Sequence, residues 1–279
     1  MAKVLRRGAH GEEVERLQRL LREHGFPVGR IDGRFGPATE AALLAFQRAN
    51  GLLADGIAGP LTWQALDMAE DLPPADATRR VSLEIVAEMF PYTRLDTIEA
   101  HLPLVLDALR GFGLVEKPMV LAALATIRAE SEGFEPVEEA PSRFNSSPGG
   151  HPFDLYDHRT DLGNRGPRDG ERYRGRGFVQ LTGRANYEAA GRSLGLGMEL
   201  VFAPQRANEP VLAARILAAF LAARRLALKS ALFEGDLAQA RRLVNGGSHG
   251  LERFAEAYRI GDRLIADPVW NGPAPALAA

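Results

Sequence analysis

The sequence predicts a mainly α-helical protein of two domains, and three observations support this. Apolar residues recur with a helical period along most of the chain, whereas strand patterns are few. Apolar residues make up 46% of the 279 residues, which is enough to bury a core. The periodicity lapses near 67–80, in an acidic stretch with two adjacent prolines that is typical of a stiff linker. We expect a small domain at 1–70, a linker at 71–80 and a larger domain at 81–279.

Composition excludes several classes of function. The chain has 34 basic and 36 acidic residues, and this balance argues against a protein that binds nucleic acid through bulk positive charge. Because cysteine is absent, disulfides, a thiolate nucleophile and Cys-ligated zinc are excluded. The N-terminus has no apolar segment of the kind found in signal peptides, and no run of 18 apolar residues occurs. We therefore expect a monomer that is made in the cytoplasm without a signal peptide and does not insert stably into membranes.

The small domain contains an internal repeat. Helices are predicted at 12–24 and 38–49, and each is followed by a glycine at the C′ position, Gly25 and Gly51. An Asp-Gly pair then makes a tight turn in each half. Half-units this small cannot bury separate cores, so they must pack on one another. The repeated motif is Val14-x-x-Leu17-Gln18, which returns as Leu43-x-x-Phe46-Gln47.

Residues 5–67 resemble the peptidoglycan-binding domain found at the ends of many bacterial and phage cell-wall hydrolases. The match is carried by turn glycines and apolar or polar core positions, among them Gly8, Gly11, Val14, Leu17, Gln18, Leu21, Gly25, Phe26, Gly33, Gly36, Phe46, Gly51, Gly56, Gly59, Thr62 and Trp63. The resemblance implies a three-helix module with a shallow groove for muropeptide or glycan. Candidates for that groove are Asp32, Phe35, Gln47 and Asp55, each equally consistent with a helix cap or a core edge.

The larger domain is predicted to be helical on both sides of a long loop region. The segment 132–180 is rich in Gly, Pro and Arg and lacks periodicity. A loop of this length in a compact domain is more often functional than idle. The predicted helices lie at about 82–90, 97–111, 117–131, 185–195, 210–230, 236–245 and 250–266.

Glu130 is the first residue that could perform chemistry. It follows Ile127 by three positions and so continues the apolar face of its helix. The helix dipole disfavours a negative charge at a C-terminal end. Burial would favour the protonated carboxyl that a general acid needs. A frayed helix end with an exposed glutamate is the alternative.

Two further segments carry polar groups on structured elements. Residues 173–187 read Tyr-Arg-Gly-Arg-Gly-Phe-Val-Gln-Leu-Thr-Gly-Arg-Ala-Asn-Tyr, and residues 245–247 read Asn-Gly-Gly. Together with the segment around Glu130, and in this order, they resemble the lysozyme-like glycoside hydrolases of family 19 over about 83–266. That family includes plant chitinases and the catalytic domains of many bacteriolytic phage endolysins. Its motifs read His-Glu-Ser/Thr-Gly-Gly-Phe, Tyr-x-Gly-Arg-Gly-x-x-Gln-Leu-Thr and Asn-Gly-Gly.

This resemblance implies a role for each matching residue. Glu130 matches the general acid, and the general base of the endolysin branch falls on Glu139, with Glu135 and Glu138 as neighbours that could take its place. Thr182 matches the hydroxyl residue that holds the nucleophilic water. The implied chemistry is inverting: the acid protonates the glycosidic oxygen while the base activates water from the opposite face. Substrate contacts are expected at Tyr173, Gln180, Asn186 and Asn245.

The most direct expectation is a muramidase that needs no metal or cofactor and acts on cell-wall peptidoglycan after release from the cytoplasm. A chitinase is the alternative enzyme. An inactive wall-binding protein is the alternative of another class, because Ala129 and Glu132 replace the usual His and the first Gly of the acid motif. A zinc peptidase is a further possibility, because one loop holds His and Asp residues that could bind a metal. These residues are His151, Asp154, Asp157 and His158.

Overall fold

A computed structural model describes residues 4–68 and 76–266, and it is mainly α-helical, as the sequence predicts. The N-terminal unit consists of α1 (Glu12–Glu23), α2 (Pro37–Ala49) and α3 (Pro60–Met68). The first two helices match the predicted ranges to within one residue. The unit has an apolar core of its own, centred on Leu17 and Phe46.

The internal repeat corresponds to a duplicated hydrogen-bond network. In the first copy, the buried amide of Gln18 donates to Asp32 Oδ1 at 3.1 Å and to Thr39 Oγ1 at 3.0 Å. It also donates to the carbonyl of Arg34. Its oxygen accepts from the backbone N–H groups of Asp32 and Gly33. One glutamine thereby closes the turn that follows its own helix.

Gln47 does the same in the second copy. It donates to Asp55 Oδ1 at 2.9 Å, to the carbonyl of Ile57 and to Thr62 Oγ1, and it accepts from the N–H of Gly56. Gln47 is 1% exposed. The repeat in the sequence is therefore a repeat of structural contacts.

This network alters the expectation for the binding groove. Phe35 and Gln47 are buried, so neither is available to a ligand. Asp32 and Asp55 are exposed, but one carboxylate oxygen of each accepts the backbone N–H two residues later as well as the glutamine amide. All four residues therefore have structural contacts in the turns or the core, and ligand binding by the exposed Asp32 and Asp55 stays a prediction.

The C-terminal unit is built around α6, in which every residue from Met119 to Ala129 is buried. Within the long loop of this unit, two short antiparallel strands pair with each other, and Val137 is aligned with Gly177. Within the described residues no helix is long and apolar enough to cross a membrane. The elements are α4 (Leu83–Met89), α5 (Leu95–Gly111), α6 (Lys117–Glu130), β1 (Val137–Glu138), α7 (Asp169–Arg172), β2 (Arg176–Gly177), α8 (Arg184–Ser193), α9 (Glu199–Phe202), α10 (Pro210–Ala222), α11 (Arg225–Phe233), α12 (Leu237–Asn245) and α13 (Leu251–Leu264).

The helix predicted at 210–230 is wrong as a single element. It divides at Arg224, whose backbone leaves the helical range with φ −116° and ψ 9°. The guanidinium of Arg224 lies 3.7 Å from the centroid of the Phe220 ring, whereas Arg225 pairs with Glu116. The two adjacent arginines thus have separate partners, and the break between α10 and α11 falls at residues 223–224.

The predicted linker contains a structured part. Residues 69–75 lie outside the described residues, but Ala77–Arg80 form a 3-10 helix. Asp76 caps this helix by accepting from the backbone N–H of Thr78, and the N–H of Ala77 donates to the carbonyl of Val115 at 2.8 Å. The segment from 76 therefore packs with the C-terminal unit.

The two units touch at a buried lysine. Lys229 of α11 is fully buried, and its Nζ lies 4.4 Å from the centroid of the Phe26 ring in the N-terminal unit. The same Nζ lies 3.1 Å from Glu116 Oε1, and Arg225 pairs with that carboxylate as well. Burial lowers the pKa of Lys229, although Glu116 opposes this. The stability of a charge buried from solvent in this way depends on the oppositely charged groups around it.

Candidate active site

Glu130 ends α6, and its side chain is 10% exposed. Its Oε1 lies 2.8 Å from Nη2 of Arg241, a fully buried residue of α12, and it accepts a hydrogen bond of 3.3 Å from Asn245 Nδ2. Arg241 is itself held by a bond from Nε to the carbonyl of His249. The first and third sequence motifs therefore meet, and both contacts fall on the same oxygen of Glu130.

The turn after α12 approaches the end of α6 closely. A Cβ on Gly250 would stand 3.1 Å from the carbonyl oxygen and 3.2 Å from the Cβ of Ala129, and the φ of Gly250 is +71°. Glycine is suited to both the contact and the backbone conformation. Ala129, which stands where the resembled family has His, is buried under this turn.

Glu132, two residues after Glu130, has charged partners of its own. Its side chain pairs with Arg253 of α13 and, at 3.9 Å, with Arg128. Its carbonyl accepts from Thr93 Oγ1 at 2.7 Å. The φ of Glu132 is +51°, a left-handed conformation that is uncommon for a residue other than glycine. These contacts fix the loop that follows Glu130.

Glu139 follows β1, and both of its oxygens accept hydrogen bonds. Oε1 accepts from Asn145 Nδ2 at 2.9 Å and from the Tyr156 hydroxyl at 3.0 Å, and Oε2 accepts from the N–H of Gly175 at 3.0 Å. Burial and the charge of Glu139 raise the pKa of Tyr156 to about 12, so the phenol keeps the proton that it donates. Three donors facing one carboxyl are the arrangement that suits an ionised carboxylate.

Gly175 brings three predicted residues together. A Cβ built on it would lie 2.6 Å from Gln180 Oε1 and 3.2 Å from both Glu139 Oε2 and Thr182 Oγ1. These three oxygens thus lie so close to the backbone of Gly175 that a side chain would clash with them. The Thr182 hydroxyl donates to the carbonyl of Gln180 at 2.9 Å, and Gln180 Nε2 donates to the carbonyl of Val137 at 2.9 Å. The second motif and Glu139 therefore form one cluster.

The structure gives two other predicted residues different positions. Asn186 is exposed in the first turn of α8 and donates to the carbonyl of Thr182 at 2.7 Å. Tyr173 is only 1% exposed, its hydroxyl donates to the carbonyl of Val201, and its ring packs against Tyr187. Tyr173 is therefore a core residue, and its ring is not open to solvent.

The neighbours of Glu139 differ from it in their surroundings. Glu138 pairs with Arg174 at 2.7 Å and with Arg176 at 2.6 Å. Although burial opposes the effect, these two guanidinium groups hold the pKa of Glu138 below its usual value. Glu135 is exposed. Only Glu139 of the three faces Gly175 and the Thr182 hydroxyl.

Sequence reasoning missed three residues that hold the carboxylates: Arg241, Asn145 and Tyr156. Arg241 precedes Asn245 by four positions on α12, and this spacing places both on one face of the helix. That spacing was a usable signal once Asn245 had been selected. Asn145 and Tyr156 lie in the irregular loop, where no period indicates which side chains turn inward.

The His and Asp cluster considered for zinc has other partners. Asp157 is buried and pairs with His151 at 2.8 Å. Asp154 accepts from the N–H of Ser147 at 2.7 Å, and the hydrogen bonds from Ser147 lower its pKa. His158 is exposed. Across 4–68 and 76–266, no group of three His, Cys, Asp or Glu residues is arranged to hold a metal ion.

Residues 10–66 match the family described as "Putative peptidoglycan binding domain". The N-terminal unit belongs to this family of domains. The resemblance found in the sequence for 5–67 is thereby confirmed. The match covers the three helices and both glutamine-centred turns, so the duplicated network lies within the family's domain.

Known proteins resemble the chain in part. It is 49% identical over 72 residues to zinc D-Ala-D-Ala carboxypeptidase from Streptomyces albus G, covering 24% of this chain and 28% of that protein. It is 43% identical over 76 residues to a spore cortex-lytic enzyme from Bacillus cereus, covering 27% and 29% respectively. The chain thus spans less than a third of these relatives. The crystal structure of chitinase C from Streptomyces griseus HUT6037 matches 70% of this chain and 79% of that chain at 21% identity, with a TM-score of 0.47.

Proposed function

We propose that this protein is a peptidoglycan hydrolase that cleaves the β-1,4 bond between N-acetylmuramic acid and N-acetylglucosamine with inversion. Glu130 is the general acid and Glu139 the general base. The observation that supports this best is the cluster at Gly175, where Glu139 Oε2 and Thr182 Oγ1 both approach the same backbone position. Glu130 is 10% exposed at the end of α6, and Arg241 and Asn245 contact its Oε1. Inverting glycosidases use a pair of carboxyl groups, one as the acid and one as the base.

The contacts assign a task to each oxygen. Arg241 and Asn245 both contact Oε1 of Glu130, so Oε2 is the oxygen that carries the proton to the glycosidic oxygen. On Glu139, Oε1 accepts two hydrogen bonds and Oε2 accepts one, so Oε2 has the lone pair that takes the proton of the attacking water.

Thr182 would hold that water. Its hydroxyl proton is already donated to the carbonyl of Gln180, so its oxygen is left to accept a hydrogen bond. Thr182 Oγ1 and Glu139 Oε2 both lie close to Gly175. A water molecule in contact with both would be oriented by Thr182 and deprotonated by Glu139.

The N-terminal domain would raise the local concentration of substrate by tethering the catalytic unit to the cell wall. The domain boundaries that we propose are 1–70 for wall binding and 76–279 for catalysis, with the linker between them. The site of action would be the wall itself, in the periplasm or outside the cell. No nucleic acid or bound cofactor enters the proposed reaction.

A zymogram tests whether the protein is an enzyme at all. Purified peptidoglycan and colloidal chitin are cast in separate gels, and wild type is compared with Glu130→Gln. We expect clearing of peptidoglycan by wild type alone. Clearing of chitin instead would favour the chitinase. Binding to walls without clearing of either polymer would indicate a wall-binding protein with no glycosidase activity.

A further inference from the structure

Tyr92 lies in the turn between α4 and α5 and is 91% exposed. Residues on both sides of it are anchored. The ring of Phe90 packs edge-on against Phe134 with centroids 4.8 Å apart, and the hydroxyl of Thr93 donates to the carbonyl of Glu132. The turn is therefore fastened to the loop that follows the proposed acid, and the aromatic ring between the two anchors projects into solvent.

Phe144 has a corresponding position near the proposed base. It is 75% exposed, and the next residue, Asn145, donates to Glu139 Oε1. The guanidinium of Arg143 lies over the Phe144 ring, 4.8 Å from its centroid. Arg143 thus occupies one face of the ring and leaves the other face to solvent.

A partly exposed leucine extends this apolar surface. Leu155 is 47% exposed, and its N–H donates to the carbonyl of Asn145 at 3.3 Å. Its neighbour Tyr156 turns inward to Glu139. In both segments, one residue holds the carboxylate and the adjacent one presents apolar surface outward.

Isolated exposed apolar residues are common and need no explanation. Tyr92 and Phe144 differ because of their neighbours along the chain. Phe90 and Thr93 contact the loop that follows Glu130, and Asn145 contacts Glu139 itself. Pyranose rings present flat faces of C–H groups, which match the apolar face of an aromatic ring. Binding sites typically combine such aromatic surfaces with a few placed polar groups. Rings held on anchored loops would lose little conformational freedom when a sugar binds.

Resting on the proposed function, we infer that Tyr92 and Phe144 are stacking platforms for two N-acetylhexosamine rings of the glycan, one on the side of Glu130 and one on the side of Glu139. The ligand class is a β-1,4-linked N-acetylhexosamine chain. The two rings bind and align this chain and take no part in proton transfer.

The test uses the full chain and the kinetics of glycan cleavage. Glycan strands stripped of peptides, and separately chitohexaose, serve as soluble substrates for wild type, Tyr92→Ala and Phe144→Ala. Tyr92→Phe and Phe144→Tyr keep an aromatic ring at each position. Phe202→Ala is the matched control, because Phe202 is 72% exposed at the end of α9, which packs against α8.

We expect each alanine variant to raise KM by on the order of tenfold while kcat stays within about twofold, because stacking contributes to binding alone. The ring-preserving variants should restore the KM of wild type, and Phe202→Ala should match it throughout. An alanine variant that behaves like Phe202→Ala, or that lowers kcat at unchanged KM, overturns the inference for that ring. If wild type cleaves neither substrate, the proposed function is wrong, and the inference about Tyr92 and Phe144, which rests on it, is overturned as well.

Discussion

Arg241 and Glu130 form an ion pair of 2.8 Å in which the guanidinium is fully buried and the carboxylate is 10% exposed. Neither Nη atom of Arg241 has an aligned hydrogen bond within the described part of the chain, so the attraction is electrostatic rather than directional. Removing one partner of such a pair leaves an uncompensated buried charge, which is strongly destabilising. The pair therefore fixes where the carboxyl of Glu130 can lie and joins α12 to the end of α6.

Replacement of Glu130 by Gln should reduce glycan cleavage by about two to four orders of magnitude, the usual contribution of general acid–base catalysis. The amide oxygen can still accept from Asn245 and face Arg241, so we expect the fold to persist, with a lower thermal stability because the buried Arg241 loses its charged partner. Initial rates on soluble glycan give the activity, and near-ultraviolet circular dichroism gives the fold. Glu132→Gln is the matched control and should retain most of the activity, because Glu132 pairs with Arg253 and Arg128 instead. A folded Glu130→Gln protein that keeps more than a few per cent of the wild-type rate would exclude Glu130 as the acid.

Glu139→Gln should be the next most severe change, with a loss of about two orders of magnitude or more, because water would no longer be deprotonated. Thr182→Ala should cost less, since it removes one hydrogen bond to that water. KM should change little in either variant. Steady-state kinetics on soluble glycan measure both parameters.

The adjacent carboxylates provide the controls for Glu139. Glu135→Gln should resemble wild type in kcat and in stability. Glu138→Gln should keep kcat but lower the thermal stability, because it breaks the pairs with Arg174 and Arg176. If either control loses turnover while Glu139→Gln stays active, Glu139 is not the base.

Gln18→Ala and Gln47→Ala should each destabilise the N-terminal domain by about 1–3 kcal/mol, because buried donors and acceptors lose their partner. Urea unfolding of residues 1–70 measures the change in the free energy of unfolding. Leu53→Ala, at an exposed position, is the control and should be neutral. If the glutamine variants keep full stability but lose wall binding in a pull-down, these residues serve the ligand and not the fold.

Glu116→Gln should destabilise the full chain by about 3 kcal/mol, because Lys229 is left buried without its carboxylate. The double variant Glu116→Gln/Lys229→Met should recover most of this loss, since neither charge remains. Thermal unfolding at neutral pH compares the three proteins. An unchanged melting temperature in Glu116→Gln would show that the buried lysine does not need this partner.

The same pair predicts a pH dependence. Although burial opposes it, Lys229 and Arg225 hold the pKa of Glu116 below its usual value. A carboxyl of this kind stabilises the fold above its unfolded pKa of about 4.3, and the contribution is lost as the pH falls through the lower folded value. The stability of wild type should therefore fall more steeply below pH about 4 than that of the double variant. Parallel acid profiles of the two proteins would contradict this.

The fragment 76–279 should cleave soluble glycan at the rate of the full chain but clear intact walls more slowly, because it lacks the tether. The fragment 81–279 should be less stable, since it loses the Asp76 cap and the contact from Ala77 to Val115. Clearance of walls and cleavage of soluble glycan are measured side by side. Equal wall clearance by 76–279 and the full chain would show that the N-terminal domain is not a targeting module.

Periodic patterns predicted the helices well because each buries one face. Helix α6 was expected at 117–131 and ends at Glu130. The pattern failed at Arg224, where two arginines with separate partners divide a continuous apolar run. Local periodicity carries no information about which side a long side chain will reach.

The candidate site could be predicted in part. The motifs selected Glu130, Asn245, Glu139 and Thr182, and the structure brings these together in two clusters. The sequence could not reveal that Tyr173 is buried, because a Tyr within a polar motif can lie in a core or on a surface. The loop partners of Glu139 depend on tertiary contacts across an irregular segment, which have no sequence period.

Mass spectrometry of the products released from purified peptidoglycan tests the central proposal most directly. Cleavage of the proposed bond by water generates new reducing ends, and these can be reduced with borohydride before analysis so that the terminal sugar is marked. We expect N-acetylmuramic acid at the reduced ends, with the stem peptides still attached and none of this product from Glu130→Gln. Reduced N-acetylglucosamine, or free stem peptides without new reducing ends, would contradict it.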